Sequence, residues 1–374
     1  MTGIDHTHEE LRKTLVALTR DLIIIPGTAG RPEDLAQGLE FIRNHMESLT
    51  HIQIHDYLYN NTPSLVVLPE QLDTPEILLC GHLDVIEHPD IRSYKSEVRD
   101  GRIIGPGAGD MKGGLAVLME LFRNFHTRYP EASLGLAVTT DEETGGESGI
   151  GHIVRHAGLR CAAAIIPDGG SLNEITVEEK GLIHLRLITR GHAAHAAFPW
   201  YGRNALEHLA EKLDRIRTFF EHLRDDTEDH WYPTCSATIV TAPNRTINRV
   251  PDYAEAELDI RFPPPHTVQS IVQDVKGVVG DSVELRIIIS AEPTHLSPDP
   301  LFLSVTEEIT GRPAGLVRIS GASDGRFLAH HNIPVMMSRP RVGELHSDEE
   351  WIDIDSMVTY YRICERYLTL KLLE

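Results

Sequence analysis

The chain has 374 residues and sets 35 Lys and Arg against 56 Asp and Glu, a formal charge of −21 at neutral pH. That charge repels phosphate backbones and anionic lipid headgroups, and no basic patch offsets it, so nucleic-acid and membrane-surface partners are excluded. With 41% hydrophobic and 24% charged residues the composition is globular, and at roughly 100–200 residues per domain the length suggests two domains.

In chain order, the pattern predicts a helix over residues 8–24 and another over 34–48. Apolar runs follow at Ile52–Leu58, Ser64–Leu68 and Ile77–Cys80, then a helix over 112–129 and further runs at Leu134–Thr140 and Ala162–Ile166. Strands alternating with helices imply a mostly parallel sheet covered on both faces, an α/β architecture. From Gly181 the order changes to strand 182–190, helix 204–223, strands 236–241 and 253–262, helix 267–279 and strand 283–290. That βαββαβ order is ferredoxin-like and long enough to fold as a unit. After Glu292 the pattern returns to α/β, with a strand at 333–337 and a helix at 354–372. The expectation is a discontinuous catalytic domain, residues 1–180 and 291–374, with a smaller domain, 181–290, inserted.

Five groups of residues carry the chemistry. Gly81-His82-Leu83-Asp84 ends a buried run, where open α/β sheets place their ligand crevices. Alternation puts His82 and Asp84 on one face, and a carboxylate beside an imidazole can fix its metal-binding tautomer. Read alone, the tetrapeptide also fits a structural histidine with a solvated aspartate. The loop Gly105–Gly114 is dense in glycine and opens a helix at Asp110, which equally suits an N-cap; it lacks the Gly-Lys-Ser/Thr ending of a phosphate loop. Asp141-Glu142-Glu143 follows a strand, and three adjacent carboxylates repel unless a cation relieves them, although a solvated turn would look the same. Pro167-Asp168 closes another apolar run, and His346 follows the last strand. The four cysteines, Cys80, Cys161, Cys235 and Cys364, are scattered, so neither a disulfide framework nor a thiolate site is indicated. His82, Asp110, Glu143, Asp168 and His346 are then oxygen and imidazole ligands suited to zinc, cobalt or manganese, five being right for a pair of ions sharing one carboxylate. Glu142, beside a ligand but spare, can take a proton from metal-bound water.

These motifs, with Gly191-His-Ala-Ala-His195, resemble in order and over nearly the whole chain the signatures of the M20 family of metallopeptidases and deacylases, the group of acetylornithine deacetylase, succinyl-diaminopimelate desuccinylase, aminoacylase and several dipeptidases. The resemblance implies a two-zinc catalytic domain with an inserted ferredoxin-like lid that also makes a homodimer contact. It implies His82, Asp110 and Asp168 on one metal and the bridging Asp110 with Glu143 and His346 on the other. Asp84 would orient His82, Glu142 would be the general base, and His195 would reach the scissile carbonyl from the lid. Asn248 and Arg261 in the lid, and Ser323 and Arg326 in Ser320-Gly-Ala-Ser-Asp-Gly-Arg326, match substrate-binding positions. The chain departs from the deacylase pattern where Asp168 replaces a glutamate, Pro106 an arginine and Ala322 a threonine. An intact set of ligands and base favours catalysis over a binding-only relative. Arg261 and Ser323–Arg326 point to an N-acyl amino acid deacylase, Pro167-Asp168 to a di- or tripeptidase. The first ten residues show no basic stretch before an apolar run, and no run of ~18 apolar residues occurs, so a soluble cytoplasmic protein is expected.

Overall fold

The computed structural model describes residues 8–225 and 230–374; part of the N-terminal stretch behind the expectation of an unexported protein therefore lies outside the described residues. The chain divides into two compact units. The first comprises Met1–Val177, His295–Val317 and Ser323–Glu374, and the second Glu178–Thr294 with Arg318–Ala322.

The first unit is built on a six-stranded sheet in the order Ile52–Tyr59, Thr62–Pro69, Leu134–Thr139, Ile77–His82, Ala163–Ile166, Val335–Met337. The last four strands are mutually parallel, and the first two form an antiparallel hairpin at one edge. Every residue of Ile77–His82 and Leu134–Thr139 is buried, which is why these strands read as unbroken apolar runs rather than alternating ones. The hairpin turns at Asn60 and Asn61, both at positive φ, a conformation asparagine tolerates better than most residues. Helices His8–Ile23, Gly113–Arg128 and Ile354–Leu372 pack on one another, and Pro300–Thr310 packs on the last of them. Their apolar faces share one core with the sheet, including Leu15, Leu79, Phe122, Leu136 and Tyr360. A second small sheet joins Val342–Gly343, Trp351–Asp353, Arg102–Ile104 and Glu97–Arg99. Among the described residues no helix is long and apolar enough to cross a membrane.

The second unit carries a four-stranded antiparallel sheet in the order Thr234–Thr241, Tyr253–Phe262, Gly181–Arg190, Val283–Ala291, with helices Ala205–His222 and Val268–Val279. This is the ferredoxin-like βαββαβ order. Tyr253–Phe262 alternates strictly: Ala254, Ala256, Leu258, Ile260 and Phe262 enter the core beneath the two helices, while Glu255, Glu257, Asp259 and Arg261 lie on the other face. Both helices start on side-chain caps, Asn204 accepting from Leu206 and Glu207 N–H and Thr267 pairing with Ser270 in a capping box.

Candidate active site

The carboxyl ends of the parallel strands converge on one set of side chains. His82 is the last residue of its strand; Glu142 and Glu143 follow Leu134–Thr139, Asp168 follows Ala163–Ile166, and His346 follows Val335–Met337. Asp110 reaches the same place from the glycine loop ahead of helix Gly113–Arg128. That loop needs its glycines: Gly107 has φ of 77°, and a Cβ on Gly109 would stand 2.8 Å from Leu345 and 2.9 Å from Val342.

His82 is buried, with Nδ1 3.0 Å from the backbone carbonyl of Asp84 and 3.5 Å from its carboxylate. Nδ1 is therefore held by the backbone, which leaves Nε2 aimed into the site. The Asp84 carboxylate, expected to orient His82, also accepts from the backbone N–H groups of Glu142 at 3.2 Å and Glu143 at 3.0 Å. One residue thus holds both the imidazole, through its carbonyl, and the turn bearing the two glutamates. Asp110 faces two ways, Oδ1 3.3 Å from His82 Nε2 and Oδ2 3.5 Å from His346 Nε2. Glu143 Oε2 lies 3.5 Å from the same His346 nitrogen. Ligand atoms of His82, Glu142 and Asp168 lie within 4.8 Å of one another, as do those of Asp110, Glu143 and His346.

Whether divalent cations fit is answered by the groups themselves. His82 Nε2 and Glu143 Oε1 are buried without a hydrogen-bond partner among the described residues. Burial lifts Glu142 well above the ordinary glutamate range; His82 opposes this, while Asp168, Asp324 and Asp110 add to it. Burial and Asp110 do the same to Asp168, against His82 and Arg339. Burial also raises Glu143, with His346 opposing. Burial would raise Asp110 too, but the neighbouring His346 and His82 imidazoles hold it low, and Asp110 and Glu143 in turn push His346 up to about 10. Buried carboxylates this close repel one another unless positive charge relieves them, which two divalent ions would do. The residues fit such ions, with no cysteine in either group.

Three further residues support the site: Glu350 has no motif, while Asp141 and Asp324 stand in motifs quoted above without a role of their own. Glu350 is buried, and its Oε1 accepts from Gly109 N–H at 2.7 Å and Asp110 N–H at 2.8 Å, fixing the loop that aims Asp110. It lies in the run Asp348-Glu349-Glu350, which reads as a solvated charge cluster. Asp141 holds the amides of Ser148 and Gly149, and Asp324 accepts from the Thr139 hydroxyl at 3.1 Å.

Of the sequence-expected substrate residues, Ser323 and Arg326 belong to the first unit with the expected ligands. Ser323 and Arg326, expected to meet substrate, are only 2% and 4% exposed. Arg326 donates to the carbonyls of Ser323, at 2.9 Å, and Gly145, and Ser323 Oγ accepts from Gly325 N–H. Through Gly145, Arg326 supports the turn after Glu143. His195, Asn248 and Arg261 belong to the second unit. His195 is exposed, and its Nδ1 accepts from Ala197 N–H at 3.0 Å, so Nε2 carries the proton and is a donor. The Asn248 carbonyl accepts from Ala196 N–H, tying the His195 loop down. Arg261 is paired side-on with Asp259, at 2.7 and 3.0 Å, which also meets His184 at 3.2 Å.

Comparison with known proteins agrees with this geometry. The chain is 28% identical to a succinyl-diaminopimelate desuccinylase of Rhodospirillum centenum, over 94% of this chain and 97% of that one. Its fold is similar to that of a tripeptidase from Staphylococcus aureus, with a TM-score of 0.75 and 17% identity over 96% of this chain and 98% of the other. An M20 family metallo-carboxypeptidase from Sulfolobus solfataricus has a TM-score of 0.77 and 17% identity, over 96% and 99%. Residues 78–370 match the pattern of peptidase family M20/M25/M40, and the chain belongs to that family of hydrolases.

Proposed function

We propose that this hydrolase cleaves the amide bond of a small N-acyl amino acid, with Glu142 as general base. The observation that carries this is the divided carboxylate of Asp110, one oxygen toward His82 and the other toward His346, with Glu142 left beside the pair. When bound, two divalent ions, zinc by first choice and cobalt or manganese as alternatives, polarise the scissile carbonyl and acidify water. His82, Asp110 and Asp168 would hold one ion, and Asp110, Glu143 and His346 the other. Burial gives the Glu142 carboxylate a high proton affinity, suited to taking a proton from water at Oε2 and returning it to the departing nitrogen. His195 would donate its Nε2 proton to the oxyanion that develops on the carbonyl.

The second unit would act as lid and homodimer contact, excluding water as the catalytic set is completed. Four unpaired cysteines suit a reducing, cytoplasmic setting. A second reading, di- or tripeptidase, rests on Asp168 as third ligand in place of glutamate. A panel of N-acetyl and N-succinyl amino acids beside unblocked dipeptides, assayed with zinc, cobalt and manganese, decides between them. Turnover confined to unblocked dipeptides would overturn the deacylase reading, and no turnover of any amide would overturn both.

A further inference from the structure

A cleft of about 370 Å³ opens in the first unit, walled by Ser171, Arg339, Arg341, Val342, Leu345 and Trp351 among others. It flanks the ligand set, since Leu345 adjoins His346 and Arg339 Nη1 stands 4.0 Å from Asp168 Oδ1. None of the roles assigned above uses Arg339. Its side chain is 16% exposed, its distance to Asp168 is too long for a hydrogen bond, and its Nε is buried with no partner among the described residues. A guanidinium offers five donors in a planar fork matched to a carboxylate, and burying them unsatisfied costs free energy.

The surroundings point the same way: the carboxylate that Arg339 approaches, Asp168 at 4.0 Å, is itself an expected metal ligand and is too distant to satisfy the guanidinium donors. Arg341 is a weaker candidate, since it is 59% exposed and already paired with Asp353 at 3.1 Å. Between them Val342 and Leu345 offer an apolar wall, and Trp351 is pinned by the Arg102 guanidinium 3.8 Å above its ring. The complement of such a cleft is a carboxylate at the end of a short aliphatic chain.

We propose that Arg339 is a specificity-determining residue that receives a carboxylate of the substrate, so that acidic N-acyl amino acids are preferred over neutral counterparts. The proposal rests on the amide-hydrolase reading above and goes beyond it by naming the group recognised. The carboxylate could belong to the acyl chain or to the amino acid, and the substrates are chosen to tell these apart.

The test uses metal-loaded wild type, Arg339→Gln and Arg339→Lys. kcat and KM are measured for N-succinyl-alanine, N-acetyl-alanine and N-succinyl-alanine amide, with calorimetric titration of succinate and metal analysis alongside. Arg339→Gln should shrink the kcat/KM preference for the carboxylated substrate ~10–100-fold, chiefly through KM, and weaken succinate in proportion. Arg339→Lys should recover part of it. A change confined to the succinyl-against-acetyl ratio assigns the acyl carboxylate, and one confined to the acid-against-amide ratio assigns that of the amino acid. Equal losses on all three substrates, unaltered succinate binding, or loss of metal in both variants would overturn the proposal. Absence of all amide turnover, with succinate binding still dependent on Arg339, would refute the hydrolytic reading and leave this assignment standing.

Discussion

Replacing Glu350 tests how the site is held. The carboxylate touches no expected ligand side chain, yet Oε1 takes the amide protons of both Gly109 and Asp110. Glu350→Ala strands two buried N–H groups at ~1–3 kcal/mol each, so about 2–6 kcal/mol is at stake. The lower half of that range is expected, because water can enter the vacated space. The loop that aims Asp110 then loses its anchor, and groups that orient ligands this way are typically worth ~10–100-fold in metal affinity. Glu350→Gln keeps an acceptor oxygen, and because burial pushes the carboxyl up to about 7, only about half a charge is lost at neutral pH. Chelator competition should give Glu350→Ala ~10–100-fold weaker zinc binding and Glu350→Gln near wild-type affinity, with urea unfolding of the metal-free proteins in the same order. Wild-type affinity in Glu350→Ala, or an equal fall in both variants, would refute the reasoning.

His195→Ala should lower kcat by ~10²–10³ while metal content stays at the wild-type level, since His195 lies in the second unit and serves as a donor; unchanged kcat would remove it from the mechanism. If it acts across a dimer, mixing His195→Ala with Glu142→Ala should restore activity, and a strictly monomeric protein in sedimentation would exclude that version. Burial opposes ionisation of Asp259, but His184 and Arg261 hold its carboxyl below the usual range. Its contribution is therefore present above pH ~4 and lost as pH falls. Asp259→Asn should destabilise the protein by about 1–2 kcal/mol at pH 7, with the gap between the two unfolding curves narrowing as pH falls below ~4 and closing only where the folded-state carboxyl is itself protonated; a gap that does not narrow below pH ~4 would show that the loss is not electrostatic.

Much of the fold was legible because burial wrote it into the pattern. Ile77–His82 and Leu134–Thr139, covered on both faces, read as apolar runs, and Tyr253–Phe262, covered on one, reads as strict alternation. The expected ligands were legible because each stands just past a run or within a glycine turn, where local sequence signals a strand end. Contacts between distant segments were not. Glu350 meets Gly109 across 241 positions and Arg326 meets Gly145 across 181, and neither leaves any periodicity. Arg326 is a second case: its motif suggests substrate binding, and its two hydrogen bonds to backbone carbonyls are visible only in the folded chain. The strands of two or three residues around Trp351 are too short to show a period, and the inclusion of Arg318–Ala322 in the second unit has no local mark. Asp84 was recognised as a partner of His82, but that its carboxylate sets the Glu142–Glu143 turn depends on a backbone approach that only the folded chain displays.

The account turns on Glu142 moving the proton in a site that two metals complete. The most direct measurement is turnover of Glu142→Gln with metal counted in the same preparation. Two equivalents per chain, as in wild type, with kcat lowered by ~10²–10⁴ is the predicted result. Near wild-type kcat at full metal loading would contradict the account at its centre.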